Sequence, residues 1–550
     1  MENFNGDNSC ILSLSVPLPE DIMKLKWAGE FEQACRVIDR RLKKELPEEL
    51  RRRLVLEKEI LRRIPGQYPY TWQEAAERMR SNIRDFQDEE LRELWEEDAA
   101  DWIYIKGKVH FRDNFLENIL KTREDYRKRV IDPETEGMGS QADLLDRTIE
   151  EMKRGGGAAR EFQMKIRLKI REEAERENAR IRVYLPLPLE YAQVRNVRLS
   201  DVLIGGRPAG AEEYTVSAPD SEQRTVCIET IHQPGQTYET EFAFETHMKY
   251  VDLSTPRALE LASEALCTGG SDAAGEGRAA LTEKPAAETS CAGGTGAAGE
   301  GQIAFPKKKN LAAEQGQSAL DVDDPSLYLG ERLPHIRFTP YIRGLAREIT
   351  GEERNPLVKA RRIYDFITTR VNYSFVRSYL TLENIPEAAA VSLKGDCGVQ
   401  ALLFITLCRV SGIPARWQSG LFVTPQSAGC HDWAQFYIEP FGWLFADCSF
   451  GGSAYRNHAA ERWNFYFGNL DPFRLPAARE FQADFVPVSR YLRNDPYDNQ
   501  TGEAEYEDRG LLHQEYETDF QIEKLNVIAP ESGSNEAAVE NNGAAAAENS

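Results

Sequence analysis

No stretch of this sequence approaches the roughly 20 consecutive apolar residues that a membrane helix requires; runs such as Ala401–Cys408 stop far short. Basic residues are in deficit, 68 Lys and Arg against 90 Asp and Glu. The net charge of -22 repels phosphate backbones and anionic lipid, so neither nucleic acid nor a membrane is an expected partner. The basic run Arg51-Arg52-Arg53 lies in a mixed-charge helical stretch and reads as a solvated face. A charged leader is missing as well. No Lys or Arg precedes Lys24, and the apolar run Cys10–Leu18 is broken by two serines and Pro17, so the N-terminus does not read as a signal peptide. Cysteine is sparse and odd in number, nine residues with no C-x-x-C pair, which predicts reduced thiols and a cytoplasmic location. No Gly-rich phosphate loop or calcium loop is present, and no cofactor is expected.

What is present divides the chain of 550 residues into several units. Residues 1–180 read as a helical region, because Phe31, Ala34, Val37, Ile38 and Leu42 recur at steps of three and four. Within it, Trp102–Phe111 alternates around Lys106-Gly107 and predicts a hairpin. Polar residues from Asp132 to Gly157 read as a loop, followed by a charged spacer helix ending near Arg180. Residues 181–256 carry short β-branched and aromatic runs between Pro and Gly turns, the pattern of a β-sandwich-like domain. Residues 257–325 read as a low-complexity linker, since CTGGSDAAGEGRAAL at 267–281 returns as CAGGTGAAGEGQIAF at 291–305 with no apolar face to stack. A core at 326–485, a C-terminal extension of it at 486–530 and a disordered acidic tail at 531–550 complete the expected layout.

The chemistry concentrates in the core. Asn355-Pro356 opens a helix with a side-chain cap and a first-position proline. Further on, Val399–Val410 is nearly all apolar or small, and Gly412 with Pro414 stops it, so Cys397 stands at the N-terminus of a buried helix. There the helix dipole and unpaired N–H groups are expected to lower the thiol pKa and to hold an oxyanion. Such a thiol needs an imidazole, and only seven histidines are available. His431 begins an extended run that turns at Pro440-Phe441-Gly442 and returns to Asp447. An antiparallel hairpin brings 431 and 447 together as opposite or diagonal neighbours, so the carboxylate can fix the tautomer of the ring. Cys397, Cys430, His431 and Cys448 nominally offer four zinc ligands, but adjacent strand residues face opposite ways and no metal is expected.

These residues resemble the transglutaminase-like superfamily, relatives of papain-type thiol enzymes. The likeness rests on Gly395-Asp396-Cys397-Gly398, Leu407-Cys408-Arg409, Ser411-Gly412-Ile413-Pro414-Ala415-Arg416, Gly420, His431-x-Trp433, Gly442-Trp443 and Asp447. Gln435 and Cys448 depart from it, where similar proteins often carry Glu and Pro. The resemblance implies an α+β fold with a papain-like core, the Cys helix packed on an antiparallel sheet. It also implies Cys397 as nucleophile, His431 as base and acid, and Asp447 as orienter. Trp433 and Trp443 are expected to wall the site, with Tyr373 and Asn469 as candidate contacts. The expected reaction is acyl transfer on peptide or glutamine amides of a protein or peptide substrate, hydrolytic rather than crosslinking. A crosslinking transglutaminase and a non-catalytic scaffold are the alternatives.

Overall fold

The computed structural model describes residues 8–131, 137–268 and 324–528. The second copy of the repeat and the acidic tail lie outside these. The N-terminal region is helical, and its helix Phe31–Leu42 buries Phe31, Ala34 and Ile38. The hairpin is present as Trp102–Ile105 and Lys108–Phe111, joined by Lys106 and Gly107 at φ 50° and 75°. Both turn residues are left-handed, the two-residue geometry that matches strand twist. Tyr70–Thr71 pairs with the second strand of this hairpin.

Between 132 and 180 the expected loop and helix exchange places. Gly137–Gly155 is a helix, and the expected spacer helix is the strand Gly157–Ile170. Its physical reason is a period of two: Phe162, Met164, Ile166, Leu168 and Ile170 are buried, while Glu161, Gln163, Lys165, Arg167 and Lys169 alternate with them. This strand is central to a five-stranded antiparallel sheet. Thr237–Lys249 pairs with one edge and Tyr516–Ile528 with the other. A second sheet contains Glu503–Tyr506, Arg180–Pro186, Thr225–Ile231 and Tyr214–Val216. Phe162, Ile166, Phe242, Val183 and Ile228 share one apolar core, which makes the pair of sheets a sandwich. Residues 503–506 and 516–528 therefore complete the sandwich and do not extend the core. The expected linker also begins with structure, because Pro256–Thr268 is a helix that buries Ala258 and Ala262.

The core has the expected helix-on-sheet form. Its five antiparallel strands run in the order Phe467–Gly468, Gly442–Ala446, Ala428–Ile438, Ala415–Val423 and Arg474–Ala478. The helix Cys397–Val410 is apolar all round and buried, with Phe404 against Phe436 at 5.6 Å between ring centroids. The N-terminal region packs on the segment before this helix: Asn118 accepts the Phe375 N–H at 2.9 Å, and the Lys394 ammonium donates to the Asp98 carbonyl at 2.6 Å. No helix among the described residues is long and apolar enough to cross a membrane.

Candidate active site

Cys397 opens the buried helix because Asp396 caps it, its carboxylate accepting the Val399 N–H at 3.0 Å. The Tyr379 hydroxyl donates to the same carboxylate oxygen. Gly398 is required for close approach: a Cβ there would lie 2.7 Å from Asp432 Oδ2 and would overlap the Tyr379 hydroxyl. The first turn is thus held tightly against Asp432 and Tyr379.

His431 and Asp447 meet as the hairpin predicts. Ala434 pairs with Ala446, which sets His431 diagonal to Asp447, and Nε2 lies 2.7 Å from Asp447 Oδ2. Burial works against a charge on Asp447, yet His431 and Arg474 outweigh it and hold the carboxyl down to about 2. An ionised carboxylate only accepts, so His431 donates from Nε2 and, when neutral, leaves Nδ1 as the basic atom. Burial lowers the pKa of the imidazole against the pull of Asp447, which favours the neutral, proton-accepting form. Phe450 packs on the ring at 4.5 Å between centroids.

Arg474, which sequence reasoning missed, anchors this pair. Its guanidinium donates to Asp447 Oδ2 at 2.9 Å and to Asp471 Oδ2 at 2.5 Å, with all three side chains wholly buried. It arrives on the edge strand Arg474–Ala478, with no local motif to announce it. Arg474→Leu would strand two buried carboxylates. A loss of about 3–5 kcal/mol of stability is expected, measured by urea unfolding.

The hydrogen bond of the Cys397 thiol goes to Asp432 and not to His431: Sγ lies 3.3 Å from Asp432 Oδ2. Gln500 Nε2 donates to the other oxygen of Asp432 at 2.7 Å and to the His431 carbonyl at 3.2 Å. The expectation of a lowered thiol pKa is therefore reversed. Burial pushes Cys397 well above its ordinary value, and the adjacent Asp432 and Asp396 add to the rise. Asp432 and Gln500 were not singled out from sequence; Asp432 had one available signal, its place between His431 and Trp433.

The remaining candidates separate. Trp433 is fully buried and donates to Gln418 at 2.6 Å, which in turn accepts from Gln193 of the sandwich at 2.9 Å, so it anchors the sheet. Trp443 lies at the far end of the hairpin beneath the Arg416 guanidinium, 3.7 Å from its ring centroid. Asn469 bonds both polar groups of the Val251 backbone, at 2.8 and 2.9 Å, and joins sandwich to core. Tyr373 stays beside Cys397: burial and then the neighbouring Cys397 raise its phenol. Gln435 accepts from Arg416 at 2.8 Å, and Cys448 is a buried thiol opening the helix Cys448–Arg456.

Residues 343–448 match the Transglutaminase-like superfamily, a span that includes Cys397, His431 and Asp447. This segment is a transglutaminase-like core. An uncharacterised protein of Haemophilus influenzae is 28% identical over 158 residues, covering 24% of this chain and 41% of that protein. The chain thus spans less than half the length of that relative. Among solved structures, a candidate cysteine protease from Cytophaga hutchinsonii is similar at 12% identity and a TM-score of 0.37, covering 68% of this chain and 92% of the other. The periplasmic domain of TgpA from Pseudomonas aeruginosa gives 12% identity and a TM-score of 0.25, covering 58% and 94%. At those scores the two structures add nothing to the assignment of the transglutaminase-like core.

Proposed function

We propose that this protein is a cysteine enzyme in which Cys397 attacks a peptide or glutamine amide, with His431 as base and acid and Asp447 as its orienter. The observation that carries the reading is the 2.7 Å contact of His431 Nε2 with Asp447, one residue along the strand from the group that bonds the Cys397 thiol. The thiol bonds Asp432 in this structure, so the step requires Cys397 to turn from Asp432 to His431 Nδ1; the thiol proton then passes to that nitrogen, sulfur adds to the amide carbon, and the C–N bond breaks as His431 returns the proton to the departing amine. Asp396 occupies the Val399 N–H, and the N–H groups of Cys397 and Gly398 in the same turn serve the oxyanion. Water then adds to the thioester, giving the acid and free thiol.

Water is the proposed acceptor, in preference to a lysine amine. The described cysteines other than Cys10 are thiols, which supports action in a reducing cytoplasm. Intact mass spectrometry of glutamine-containing peptides, with and without a primary amine, separates the outcomes. Backbone cleavage identifies a peptidase, and loss of ammonia with gain of water identifies a deamidase. Amine incorporation would overturn the hydrolytic reading, and no reaction across the panel would favour a scaffold.

A further inference from the structure

Among the described residues, Asp432 is the side chain that hydrogen-bonds the Cys397 thiol, and the proposed triad has no use for it. Adjacent residues of a strand face opposite ways. While His431 reaches Asp447, Asp432 turns to the helix Cys397–Val410, where Oδ2 lies 3.3 Å from Sγ and Oδ1 is fixed by the Gln500 amide at 2.7 Å. The titratable groups around it are mostly acids, thiol and phenols, with one cation, Arg493, behind them. From the helix and the segment before it come Cys397, Asp396, Tyr379 and Tyr373. From the loop that carries Gln500 comes Asp498, hydrogen-bonded to Asp432, with Asp495 and Arg493 behind it. Arg493 is committed to Glu503 at 2.9 Å.

We infer that Asp432 is a positioning residue that controls the proton of Cys397, so that the acid form of its carboxyl permits the thiolate and the ionised form suppresses it. The inference rests on Cys397 being the nucleophile. With a proton on Asp432, its O–H donates to sulfur, the thiol proton leaves to solvent, and the resulting thiolate is hydrogen-bonded. When the Asp432 proton leaves instead, a carboxylate stands 3.3 Å from sulfur and can only accept, so the thiol keeps its own proton. Burial, Asp498 and Asp396 all favour the acid form, which carries it well above the usual carboxylate range.

Asp432→Asn tests this, since an amide can donate to sulfur and cannot ionise. The rate of Cys397 carboxamidomethylation by iodoacetamide, followed by peptide mass spectrometry from pH 5 to 10 on the full chain, reports the thiolate directly. The midpoint should fall by at least one pH unit, giving about a tenfold faster reaction at pH 9. An unchanged or higher midpoint would overturn the inference, as would a uniform rate change with no shift in midpoint, which is what loss of a purely structural contact would give. Asp432→Ser, smaller and also unable to ionise, should shift the midpoint the same way and stands in if the asparagine variant does not fold. Because the readout needs no substrate, a chain that turns over no peptide yet shows the shift would sink the proposed reaction and leave this inference standing.

Discussion

Cys397→Ala should lower turnover of a susceptible amide by roughly 10^4-fold or more, because the acyl-enzyme can no longer form. The loss is confined to chemistry. Alanine is well tolerated in a helix, and Asp396 keeps its cap on Val399. The helix N–H groups remain to polarise a bound carbonyl, so a small residual rate over water is expected. His431→Ala should cost a comparable factor, and the double variant little more, since the two side chains act as one unit. Single-turnover kinetics would check it. A Cys397→Ala protein within tenfold of wild type would sink the nucleophile assignment.

Asp447→Asn is the second large effect, about 10^4-fold on kcat at neutral pH. The shape of the side chain is kept, but an amide can present its N–H to His431 Nε2 and so hold the ring in the wrong tautomer, with its proton on Nδ1. Loss of the carboxylate also frees Arg474 Nη1. The pH dependence follows from the lowered pKa of Asp447, held at about 2. Its contribution to stability is complete above the ordinary Asp value of about 3.9 and is lost as pH falls through about 2. Acid unfolding of the asparagine variant should therefore lack that component, a difference readable by circular dichroism between pH 5 and 1.5.

The parts of this site that were legible are the local ones. Asp396, Cys397 and Gly398 sit in four consecutive residues with Gly395, and His431 and Asp447 share one hairpin, so spacing alone joins them. Arg474 and Gln500 come from other segments, and no periodicity links a buried guanidinium or an amide to a strand many residues away. Asp432 was hidden differently. It stands beside His431 in sequence, yet strand geometry gives it the opposite face and a different partner. The misread segment at 157–170 carried its own correction. Its Lys, Arg, Glu, Met and Leu content favours a helix, but the apolar residues fall on every second position from Phe162 to Ile170, and tertiary pairing on both edges decides in favour of that alternation.

That central strand also sets a timetable for synthesis. Gly157–Ile170 finds one neighbour in Thr237–Lys249 soon after it leaves the ribosome, but the other, Tyr516–Ile528, is made only after the whole of the core. At roughly 5–20 residues per second the open edge waits on the order of 20–70 s for its partner. A long, unpaired strand edge is a template for other chains. Nascent protein of this sequence therefore depends on protection at that edge through most of its translation, and any fragment that stops after the hairpin of His431 and Asp447 carries the exposure permanently.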